Sequence, residues 1–120
     1  MLDSLKNIDR ANLSAMKQKE ITGRYADIAL RLRAARSYFD MPQKDFAEAA
    51  NVQQKSYNQW ESGDFRISIQ GAIKLRERYG ISLDFIYVGN MDALPTKMSN
   101  ALASILRDSA SSASKDSGED

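Results

Sequence analysis

Apolar residues recur along the chain in short runs at helical spacing, and turn-forming residues punctuate them. Leu2, Leu5 and Ile8 begin a stripe in residues 1–22, where Leu13, Met16 and Ile21 follow among charges and Ser4 is a possible cap. Thr22-Gly23 breaks the pattern. Ile28, Ala29, Leu32 and Ala35 then mark the inner face of a helix over about 25–38, with Arg31, Arg33 and Arg36 on or near its outer faces. Met41-Pro42 opens a second helix, since the N–H that proline lacks is an orphan in a first turn anyway. Phe46, Ala47 and Ala50 (i, i+1, i+4) are its small apolar face. Val52, Tyr57 and Trp60 mark a third helix over 53–62, which Gly63 ends with a left-handed residue.

Ser68 caps a fourth helix over 69–79, expected to bury Ala72, Ile73, Leu75 or the stem of Arg76, and Tyr79 before Gly80 stops it. Ser82 caps a fifth, in which Leu83, Phe85, Ile86 and Val88 are expected to close the core before Gly89-Asn90. Leu94, Met98, Leu102, Ile105 and Leu106 (i, i+4, i+8, i+11, i+12) then share one face of a helix starting near Pro95. Such a helix is too short to stand alone and needs a partner surface, either its own domain or a second subunit. From Asp108 to Asp120 almost nothing is apolar, and the composition predicts a disordered tail.

The second and third helices form one unit. A steep crossing needs a small side chain at the contact, which Ala47 supplies, and Asn51 tolerates the left-handed backbone of a tight connection. Two helices so joined, the second with polar side chains outward, read as a helix-turn-helix. The amino end of such a second helix enters a DNA major groove deepest. Gln54 and Lys55 lie there, and Gln59 is one turn on from Lys55. Glutamine bonds adenine N6 and N7 in bidentate fashion and lysine suits guanine O6 and N7, so these three are the candidate base contacts. Gln53, Ser56 and Asn58 are candidates for the DNA backbone. Trp60 is expected in the core.

Composition narrows the classes. The 120 residues carry 17 basic and 16 acidic side chains, without the basic excess of a nonspecific DNA coat. The charge is uneven: residues 1–41 hold eight basic and five acidic, and residues 91–120 three and five. There is no cysteine and no histidine, so no disulfide framework, thiolate site or imidazole base exists, and neither catalysis, a metal, a cofactor nor a small-molecule ligand is expected. No apolar run approaches a membrane span, and a cytoplasmic protein is expected.

Gln43, Phe46-Ala47, Asn51-Val52, Tyr57 and Trp60-Glu61-Ser62-Gly63, followed by Gly80-Ile81-Ser82-Leu83-Asp84-Phe85, stand in the register of a known family. Residues 26–90 resemble the lambda-repressor-like, Xre-type DNA-binding domain of phage and bacterial transcriptional regulators. The resemblance implies an all-α, five-helix domain with flanking helical segments. It places Gln43 against the DNA backbone at a helix amino end, and Arg66 as a basic backbone clamp. It also pairs Arg36 with Glu61, where a bidentate guanidinium–carboxylate contact would lock the first helix to the third. Pro42 and Gln53 depart from the family's usual Ser, Thr or Asn caps. The organisation expected is an arm or helix over 1–22, a DNA-binding domain over 23–90, an amphipathic helix over 91–107 and a tail over 108–120. The function implied is sequence-specific double-stranded DNA binding by a homodimeric regulator, a repressor of the phage or prophage type, that dimerises through 82–88, 95–106 or both. The alternative is an antitoxin-type module that holds a protein partner through 94–106. Residues 1–22 are open between an arm on DNA phosphates and a packing helix.

Overall fold

The computed structural model describes residue 21 and residues 23–118, with side chains to Ala110. The expected arm or helix over 1–22 lies, but for Ile21, outside the described residues. Six helices form the described part: α1 (Ala26–Phe39), α2 (Gln43–Ala49), α3 (Gln54–Ser62), α4 (Ile69–Tyr79), α5 (Leu83–Val88) and α6 (Thr96–Gly118). The fold is all-α.

Local chemistry sets most boundaries. Ser68 Oγ accepts from Gly71 N and Ser82 Oγ from Phe85 N, each satisfying an orphan donor in the first turn of its helix. Gly63 (φ 88°) ends α3 in the left-handed region that a Cβ disfavours. Asn51 (φ 61°) makes the turn between α2 and α3. Asp40 (φ 55°) does the same after α1, a role within the known tolerance of aspartate.

The core is one cluster built from all six helices. Leu32, Phe46, Ala47, Tyr57, Leu75, Phe85 and Ile86 are fully enclosed. Phe46 stacks on Tyr79 with ring centroids 4.2 Å apart, and Tyr79 Oη donates to the Phe46 carbonyl at 2.7 Å, so α2 is held to α4 by both packing and a hydrogen bond. Trp60 lies over Gly71, where an added Cβ would overlap the indole ring. Tyr25 N donates to the Gly63 carbonyl at 3.0 Å, tying the start of α1 to the end of α3.

Three expectations change. Ile73 is exposed, because α4 turns Gly71, Ala72 and Leu75 inward instead. Val88 is 67% exposed, since Phe85 and Ile86 already fill the space under α5. The segment expected to be disordered from Asp108 is helical through Gly118, a continuation of α6. Propagating a formed helix costs far less than starting one, and the first half of α6 is anchored by packing. Leu94 ahead of α6 and Met98 and Leu102 on it are buried, and α6 lies against α1 of its own domain.

Candidate nucleic-acid interface

α3 divides cleanly by its helical period. Tyr57, Trp60 and Glu61 are buried, while Gln53, Gln54 and Lys55 at its amino end are exposed. Gln59, Ser56 and Asn58 are half-buried. Gln53 precedes the helix in extended conformation and makes no side-chain cap bond, so its amide is not consumed by the helix it starts. Asn58 Oδ1 is enclosed without a hydrogen-bond partner, which leaves the amide nitrogen as the end able to serve an outside acceptor. Arg66, in the connection from α3 to α4, is exposed.

The orientation of α3 is held from behind. Glu61 is 1% exposed, and its carboxylate accepts from Arg36 Nε at 2.8 Å and Nη2 at 3.1 Å in a bidentate pair. Arg36 Nη1 also donates to the Met41 carbonyl at 3.0 Å, so one guanidinium links α1, the α1–α2 turn and α3. Gln43 Nε2 donates to Glu61 Oε1 at 2.8 Å, which ties the amino end of α2 to the same carboxylate. One of the two N–H donors of the Gln43 amide, a side chain expected at the DNA backbone, is therefore engaged within the protein.

Arg33 joins this group without having been singled out from the sequence. Its Nε donates to the Glu61 carbonyl at 3.1 Å and lies 4.0 Å from Oε1. The signal available was spacing, as Arg33 and Arg36 are i, i+3 on the side of α1 that meets α3. The two guanidiniums respond differently. For Arg33, burial outweighs the nearby Glu61 charge, and with Arg36 adding repulsion its pKa is lowered. For Arg36, burial also opposes the charge, but the hydrogen bonds and charge of Glu61 together raise it.

Two more contacts steady the recognition unit. Lys74 Nζ donates to the Asn51 carbonyl at 3.0 Å, bracing the α2–α3 turn from α4. Tyr57 Oη reaches the Leu32 carbonyl at 3.4 Å, a long bond in a site whose burial pushes the phenol well above its ordinary range. The result is a polar helix face on a rigid support, the arrangement needed to bring amide and amine groups to base edges.

Among the described residues no group of three or more acidic, histidine or cysteine side chains could hold a metal ion, and no helix is long and apolar enough to cross a membrane. No curated protein and no solved structure matches the chain. Residues 32–86 match the family model described as helix-turn-helix, a span running from within α1 to within α5. Those residues, somewhat under half of the chain, are similar to the lambda-repressor/Xre-like helix-turn-helix domain, a DNA-binding domain family that is not typically enzymatic.

Proposed function

We propose that the chain is a sequence-specific, double-stranded DNA-binding transcriptional repressor of the phage or prophage type. It works in the cytoplasm as a homodimer on a two-fold symmetric operator. The observation that carries the reading is the outer side of α3, where Gln54 and Lys55 are exposed and Gln59 stands one turn from Lys55. In this reading those three side chains meet base edges, and Gln53, Ser56, Asn58 and Arg66 meet the phosphate backbone.

A single recognition helix reads too few base pairs for genomic specificity, which is the physical case for a dimer with half-sites about one helical turn apart. The apolar stripe of α6 is an unsuitable dimer surface, as Leu94, Met98 and Leu102 are buried in their own domain. Support falls instead on the end of α5 and the exposed side of α4. Val88 is exposed beside Tyr87, Tyr87 and Ile69 line one depression, and Ile73 follows Ile69 by one turn. Burial of the same stripe counts against the partner-binding module through 94–106. Selection of bound sites from random duplex DNA tests the reading. Enrichment of a palindrome by the native protein, weakened in a Gln54→Ala/Gln59→Ala variant, is the expected outcome, and absence of any enriched sequence at low salt would overturn it.

A further inference from the structure

The two ends of α3 are held differently. At its carboxyl end the Gln59 carbonyl accepts from Ser62 Oγ at 2.8 Å, that of Trp60 from Gly63 N at 3.4 Å and that of Glu61 from Arg33 Nε at 3.1 Å. Carbonyls of a last turn have no partner inside their own helix, so these bonds tie the end down from outside it. The Gly63 carbonyl, just past the end, accepts from Tyr25 N at 3.0 Å and lies where a Cβ on Gly23 would overlap it. At the amino end Gln53 makes no side-chain cap bond, and Gln54 and Lys55 are exposed. The helix is clamped at one end and projects its candidate base contacts from the other.

Two arginines of α1 make this clamp in unlike ways. Arg36 bonds the Glu61 carboxylate, which the torsions of the glutamate side chain separate from the helix backbone. Arg33 bonds the Glu61 carbonyl and so grips the backbone of α3 itself. Peptide dipoles lie roughly along a helix axis, so a donor on a last-turn carbonyl fixes where the helix stands along that axis. An axial shift of α3 moves Gln54, Lys55 and Gln59 together, and a recognition constellation must be held within about 0.5 Å. We infer that Arg33 is a positioning residue: through the Glu61 carbonyl it sets the axial place of α3, and thereby the base discrimination of Gln54, Lys55 and Gln59. The inference rests on the DNA-binding reading. The role is separate from that of Arg36, because without the Arg33 guanidinium the Glu61 carboxylate keeps Arg36 and Gln43 and is not left as an unpaired buried charge.

The test uses the full chain, its enriched operator and a scrambled duplex, with native protein, Arg33→Met and Arg33→Gln titrated over a range of salt. Methionine keeps the aliphatic stem and has no donor. Glutamine has no charge, but its amide nitrogen stands as far along the side chain as arginine Nε and can donate to the same carbonyl. The readout is each protein's operator-to-scrambled affinity ratio, in which any unfolded fraction cancels, and circular dichroism confirms that each variant is folded. The expected result is a ratio lowered roughly tenfold in Arg33→Met, within the range of one lost base contact, and close to native in Arg33→Gln, with parallel salt slopes. A native ratio in Arg33→Met overturns the inference while DNA binding stands. So does an equal fall in both variants, which would assign the effect to the charge and not to the carbonyl bond. It is also overturned if both variants weaken the two duplexes alike and lower the salt slope by about one, the signature of a lost phosphate contact. Should Arg33→Met not fold, a lowered ratio in folded Arg33→Gln still refutes the inference and a native ratio supports it. Failure of the native protein to enrich any operator removes the DNA reading and this inference with it.

Discussion

Replacing Arg36 by methionine isolates the contact that holds α3 to α1. The substitution keeps most of the aliphatic stem and removes the guanidinium, leaving the Glu61 carboxylate, 1% exposed, without its two shortest charged donors at 2.8 and 3.1 Å. Removing one partner of a buried pair costs about 3–5 kcal/mol, against under ~1 kcal/mol for an exposed pair. Gln43 at 2.8 Å and Arg33 at 4.0 Å remain near the carboxylate, so the lower end, about 3 kcal/mol, is the expected loss. For a domain this size that lowers Tm by on the order of 15 °C. Trp60 is the chain's one tryptophan and adjoins Glu61, so urea unfolding followed by its fluorescence, with helical circular dichroism as the second probe, reads the loss directly. The guanidinium pKa is raised, so its contribution is fully present up to the ordinary arginine range and neutral pH lies on the plateau. A companion Arg36→Met/Glu61→Leu variant should recover much of the stability, since apolar replacement of a buried pair is often close to neutral. A single-variant loss below ~1 kcal/mol, or no recovery in the double variant, would refute the view of Glu61 as a buried charge that needs Arg36.

Two further outcomes are expected. Burial, followed by the Glu61 charge, raises the Tyr57 pKa well above its ordinary value, so the unfolded chain releases the phenolic proton first and stability falls as pH rises above about 10; denaturant midpoints between pH 7 and 11 should show this, with a flatter profile for Tyr57→Phe. Val88→Asp and Ile69→Asp alter exposed side chains, so sedimentation should show a shift toward monomer with Tm of the monomer nearly unchanged, and an unaltered mass distribution would exclude that surface as the dimer contact.

The parts of the fold legible in the sequence are those fixed by local chemistry. Ser68 and Ser82 cap helices because a hydroxyl before an amphipathic run satisfies a first-turn N–H, and Asn51 and Gly63 make left-handed turns because their residue types tolerate them. What the sequence hid depends on which surfaces compete. Ile73 and Val88 are as apolar as the core, yet Gly71, Ala72, Phe85 and Ile86 occupy the inward positions, and periodicity within an eleven- or six-residue helix cannot rank such neighbours. The stripe from Leu94 to Leu102 had two possible partners, and the packing against α1 is a tertiary fact with no local sign. In the candidate site, resemblance named Arg36 and Glu61, but the recruitment of Gln43 and Arg33 to the same carboxylate follows from the crossing of three helices.

The central claim is that the outer side of α3 reads sequence, and a salt titration tests it most directly. Affinity for the enriched operator and for a scrambled duplex is measured from low to physiological salt, for native protein and for Gln54→Ala/Gln59→Ala. Phosphate contacts govern the salt slope, whereas base contacts govern the ratio between the two duplexes. At roughly 1–3 kcal/mol per bidentate contact, the double substitution should reduce the operator-to-scrambled ratio by at least about thirtyfold while the slopes stay parallel. An unchanged ratio with a shallower slope would contradict the account, because those glutamines would then be meeting the backbone and not the bases.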